Sequence, residues 1–146
     1  MKIMFLFAIV FYLLGCARPG YTPVAENMSC SKEYNSKLKR NIYQFVDQMP
    51  EPPGGLRELL RYATRNVDFI NDDGTIQGSV KFEMIIDVDG AILEEKITGK
   101  EFEAYTSTDK KVLKNIRSMP KWKPGKCKNR KVPVRVGFPM SVCLSQ

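Results

Sequence analysis

Four cysteines, sixteen acidic side chains and no histidine bound the chemistry open to this chain. Without imidazole, Ser-His-Asp and Cys-His nucleophilic catalysis and every histidine metal site are excluded. The carboxylates do not make up the loss. Glu94 and Glu95 are neighbours in a stretch that reads as a strand, so they point to opposite faces and do not form an acid–base pair. "NDDG" (71–74) and "DVDG" (87–90) approach a calcium loop, but each lacks a third acidic ligand before its glycine and a glutamate six positions beyond it. Both read as turns. No enzyme activity, no metal and no cofactor is expected. The remaining chemistry lies in Cys16, Cys30, Cys127 and Cys143.

Cys16 closes the segment "MKIMFLFAIVFYLLGC", in which Lys2 precedes an apolar run from Ile3 to Leu14. Twelve helical residues rise about 18 Å, against roughly 30 Å of bilayer hydrocarbon, which suits a signal peptide better than a span. Leu13-Leu14-Gly15-Cys16 resembles the bacterial lipobox, in which the chain is cut before a cysteine whose thiol carries a diacylglycerol. Small Gly15 admits the peptidase and Cys16 supplies the thiolate. The alternative is an uncut anchor with an incidental cysteine. Removal of residues 1–15 takes away Lys2, leaving 22 basic against 16 acidic side chains, a charge of +6. The export compartment permits disulfides, and Cys30, Cys127 and Cys143 are an odd number whose pairing stays open. The full chain carries +7, but no helix shows a continuous basic stripe, so a solvated basic surface is favoured over nucleic-acid binding.

Residues 16–41 are polar, with Pro19, Gly20 and Pro23, and read as a tether with a short helix near "SKLKRNIYQFV". One domain is expected over residues 42–146. After the break "MPEPPGG", Leu56, Leu59, Leu60, Ala63 and Val67 recur at helical spacing and predict an inward-facing stripe. From Val80 to Val88 apolar and polar residues alternate, Asp89-Gly90 turns the chain, and a strand returns over 92–98. A second helix is predicted from Ser107 to Met119, stopped by Pro120, and a last strand lies in "KVPVRVGFPMSV". The fold class is α+β, with two helices packed on a small three-stranded antiparallel sheet.

"IQGSVKFEMIIDVDGAI", a helix, "SMPKWKPGK" and "PVRVGFP", in that order, resemble the C-terminal domain of the TonB family over about residues 44–144. "QMPEPPGGLRELLRYATRNV" is similar to the segment that precedes this domain in many Bacteroidetes-type members. Where the family usually has a Tyr-Pro pair after the first helix, this chain has Asp68-Phe69. The resemblance implies structural roles for Gly90, Trp122 and Pro124, with Trp122 covering the open side of the core. It also implies that a short segment of an outer-membrane transporter is gripped as an added strand beside the last one, and it leaves a strand-swapped homodimer open.

The last strand can be tested for that use from its residues. Backbone N–H groups alternate sides, so Pro133 and Pro139 lack donors on the same, odd-numbered side, as befits an edge. Arg135 and Gly137 are the donors between them, which places a docked peptide on Val134, Arg135, Val136, Gly137 and Phe138. The prolines also serve to blunt an edge that would otherwise aggregate. An energy transducer needs an inner-membrane helix and a long spacer, whereas this chain has a lipidation signal and a short tether. The leading expectation is therefore a lipoprotein on the periplasmic face of the outer membrane that binds TonB-dependent transporters. The alternatives are an envelope structural lipoprotein contacting peptidoglycan or another envelope protein, and a minimal transducer on an uncleaved anchor.

Overall fold

The structure, a computed structural model, describes residues 30–141. Cys16, the apolar segment before it, most of the expected tether, and Cys143 lie outside the described residues.

Period-two alternation in "SVKFEMII" makes the central strand. Val80, Phe82, Met84 and Ile86 are buried against the helices, while Lys81 and Glu83 face the other way. Numbered along the chain, the strands are β1 (Ser31–Asn35), β2 (Arg40–Phe45), β3 (Ser79–Ile86), β4 (Ile92–Ile97), β5 (Lys126–Cys127), β6 (Arg130–Lys131) and β7 (Val134–Ser141). The helices are α1 (Gly55–Thr64) and α2 (Ser107–Arg117). Five strands form one sheet in the order β1-β2-β7-β3-β4, and β5-β6 is a separate small hairpin. β4, β3 and β7 are antiparallel neighbours, the three strands expected from sequence. The sheet is nevertheless larger than that, because β2 runs parallel to β7 and brings β1 with it.

That β1–β2 hairpin occupies residues expected to be tether and short helix. Its reason lies on the outer face of the sheet, the face turned away from the helices. Ile85 is the apolar exception among the outward residues of β3, and it is buried, as is Ile42 of β2; neither belongs to the core on the helix side. Ion pairs Lys37–Glu94 (2.6 Å) and Arg40–Asp87 (2.9 Å) draw the hairpin across that face. Within the helix-side core, Leu59 and Ala63 of α1 meet Val112 and Ile116 of α2. Leu56 and Leu60, expected to face inward, are exposed. Only one narrow side of this ten-residue helix reaches α2, so the outer members of its leucine stripe stay in water.

α2 begins with a capping box: Thr106 accepts from the Asp109 N–H, and the Asp109 carboxylate accepts from the Thr106 N–H. Asp109 is fully buried and also accepts from Lys100 (2.5 Å) and Gln77 (2.6 Å). Burial works against its charged form, but the lysine, the amide and the backbone donor outweigh it and hold its carboxyl below the ordinary range. Gln77 thereby ties the start of β3 to the start of α2. A disulfide, Cys30–Cys127, joins the beginning of β1 to β5.

Candidate functional site

The hydrogen-bond direction of β7 follows from its neighbours. Thr98 N–H donates to the Lys81 carbonyl, so the odd-numbered residues of β3 bond towards β4 and the even-numbered ones towards β7. Phe82 pairs with Phe138 and Met84 with Val136, which commits the even-numbered backbone groups of β7 to β3. The odd-numbered groups, Arg135, Gly137, Pro139 and Ser141, point to the opposite side.

β2 takes the first part of that side. Tyr43 N–H donates to the Pro133 carbonyl at 2.9 Å, and Tyr43 pairs with Val134 in a parallel bridge. Such a bridge directs the Arg135 N–H at the Tyr43 carbonyl. After Phe45 the chain departs, bridging instead from Gln48 to Lys126 and from Glu51 to Lys123. Among the described residues, no strand lies beside the odd-numbered side of β7 from Gly137 to Ser141. The free stretch thus begins two residues later than the sequence suggests. Its donors are Gly137 and Ser141, with Pro139 silent between them.

The side chains divide by face. Val134 and Val136 are buried in the core, and the Phe138 ring packs at a tilt against Phe82 (centroids 5.7 Å apart) and Trp122 (6.1 Å). Gly137 is exposed, and a Cβ built there would meet nothing nearer than 4.0 Å. On the outer face, Arg135 lies 4.0 Å from Glu83, which also pairs with Lys96 at 2.7 Å. Lys81, directly across from Pro139, is exposed and has no ion-pair partner among the described residues.

β7 is an inner strand, and the edges of the sheet are β1 and β4. Along β4 the outward Ile97 N–H is taken by the Tyr105 hydroxyl at 3.0 Å. Glu94 and Glu95 do face opposite ways, Glu94 to Lys37 and Glu95 to Arg117 of α2.

Trp122 is buried, and its backbone N–H donates to the Gly90 carbonyl at 2.8 Å. Gly90 holds a positive φ of 85°, and a Cβ there would overlap the Trp122 carbonyl oxygen. Lys121 and Lys123 are exposed and pair with Asp89 (2.5 Å) and Glu51 (3.0 Å), while Pro124 is half-buried. The Lys121 ammonium and the Ala91 N–H hold the Asp89 carboxyl below its ordinary range. The indole N–H has no partner among the described residues, so Trp122 contributes shape and apolar area. Cys30, Asp47 and Cys127 also converge, but the two sulfurs are bonded to each other and offer no thiolate to a metal.

Two features went unread in the sequence: Tyr43 as an internal neighbour of β7, and the role of Ile85. The second carried a signal, since a lone apolar residue on a polar strand face calls for a cover. No helix among the described residues is long and apolar enough to cross a membrane. No protein-family model, no curated protein and no solved structure matches the chain.

Proposed function

We propose that this protein is a TonB-like binding module, lipidated at Cys16 and held on the periplasmic face of the outer membrane. It captures segments of TonB-dependent transporters by adding them as a strand to β7. The observation that carries this reading is the odd-numbered side of β7 from Gly137 to Ser141, beside which no strand lies among the described residues. Five residues of strand span about 17 Å, room for a five-residue guest paired through the Gly137 and Ser141 donors and the intervening carbonyls. Arg135 and Lys81 flank this stretch on the outer face, so an acidic side chain of the guest on that face is favoured. β2 fixes one limit of the guest, because the backbone at Pro133–Arg135 is already paired.

The test is affinity purification of the tagged lipoprotein from solubilised envelopes, beside Gly137→Pro and Gly137→Ala. The Gly137 N–H does not serve β3, so proline there removes a guest contact and spares the native ladder. Outer-membrane barrels should accompany the parent and Gly137→Ala and be lost from Gly137→Pro. Identical captured material from all three, or no barrels from any, would overturn the reading in favour of an envelope scaffold.

A further inference from the structure

A second surface lies around the Cys30–Cys127 disulfide. A groove of about 470 Å³ is lined by Lys32, Tyr43, Lys128, Arg130, Lys131 and Val132 together with the two cysteines. Lys32, Lys128, Arg130 and Lys131 are all exposed, and among the described residues none of them forms an ion pair. The turn between β5 and β6, Lys128-Asn129, has positive φ at both residues (49° and 61°), the geometry of a tight hairpin that thrusts its basic residues outward. Asp47 is the carboxylate at hand, and it is engaged by the Lys128 backbone N–H (2.5 Å) and lies 3.9 Å from the Cys30 sulfur. Glu33 is tied to Gln44 at 3.0 Å, on the other face of β1 from Lys32. Tyr34, 62% exposed, shares the face of Lys32 two residues along β1. Exposed cations beside an exposed tyrosine are the composition of a surface that rests on lipid headgroups.

Position makes the same point. The disulfide fixes Cys30 beside this groove, so the N-terminal segment enters the domain here. Thirteen residues separate Cys16 from Cys30, which reach about 50 Å at full stretch and about 20 Å as a relaxed coil. We infer that the groove bounded by Lys32, Lys128, Arg130 and Lys131 docks on the anionic phosphate headgroups of the bilayer that holds the anchor. The domain then stands on the membrane by this end. The inference rests on the reading that the N-terminal segment anchors the chain.

The test uses the full chain, diluted from detergent into vesicles of phosphatidylcholine alone or with phosphatidylglycerol. Flotation with the neutral vesicles reports the anchor by itself. If the chain floats, amine labelling decides the groove. Lys32, Lys128 and Lys131 should react about tenfold more slowly on anionic than on neutral vesicles, recovering in 0.5 M salt as exposed charges are screened. Lys110, Lys111 and Lys114 of α2 should not change. If the chain does not float with neutral vesicles, the anchor reading fails, and flotation with anionic vesicles decides instead. The parent should then bind on the order of 100-fold more tightly than a Lys128→Gln/Arg130→Gln/Lys131→Gln variant, about fivefold for each charge. Equal labelling of groove and helix lysines on anionic vesicles, or equal flotation of parent and variant, would overturn the proposal.

Discussion

Replacing Gly90 with alanine places a methyl group where the structure has the Trp122 carbonyl oxygen, in a backbone conformation that alanine disfavours. Three costs combine. The left-handed conformation costs about 1–2 kcal/mol for a residue with a Cβ. The bond from the Trp122 N–H to the Gly90 carbonyl is stretched or lost, at about 1 kcal/mol. Displacing the Trp122 backbone also loosens the contact of its ring with Phe138. The expected loss is about 3 kcal/mol, which at a urea slope of about 1.5 kcal/mol/M lowers the midpoint by about 2 M. Trp122 is the only tryptophan and is 3% exposed, so its emission follows unfolding and reports any loosening in the native state as a red shift. Gly137→Ala is the control, since its φ is ordinary and its Cβ has room; its midpoint should stay within about 0.3 M of the parent. A Gly90→Ala protein with the parent's midpoint and emission would refute the argument that this turn is built around the tryptophan backbone.

Asp109→Asn should destabilise the domain by about 1–3 kcal/mol by weakening the capping box and the Lys100 pair, read as a lower thermal midpoint. Because the folded-state pKa of Asp109 lies below its ordinary value of 3.8, its contribution is complete above that value and is lost as pH falls through the folded-state pKa. The acid limb of the parent's stability profile should therefore be steeper below about pH 4 than that of Asp109→Asn. Ile42→Ala should cost about 2–4 kcal/mol and speed hydrogen exchange in residues 31–45 ahead of the helices, since Ile42 is buried outside the helix-side core. Cys30→Ser/Cys127→Ser should cost about 2–4 kcal/mol in urea, because the bridge spans a sequence separation of 97 residues.

Much of the sheet was legible because alternation is a direct image of burial. The even-numbered stripe from Val80 to Ile86 and the Asp-Gly turn required only local chemistry, and Pro120 follows shortly after α2 ends at Arg117. The silent donors of Pro133 and Pro139 marked the odd-numbered side of β7 from the chain alone. What local reasoning did not carry was the β1–β2 hairpin. Its strands are polar because one side faces water, and what they rest on is distant in sequence: the sheet face that carries Ile85, beside Asn35 and Lys37, and the ion-pair partners Glu94 and Asp87. For the same reason Arg135 looked free: the Tyr43 that covers it is 92 positions away in the chain. Leu56 and Leu60 show the converse, a helical stripe wider than the partner it meets.

The most direct measurement is residue-resolved amide exchange at Gly137, in the free chain and with a co-purified transporter bound. In the free protein Gly137 should exchange on the order of 100-fold faster than Val136 and Phe138, whose N–H groups are bound to β3, and it should slow to their level in the complex. A Gly137 amide as slow as its neighbours in the free chain, or one that stays fast in the complex, would contradict strand addition on this side of β7.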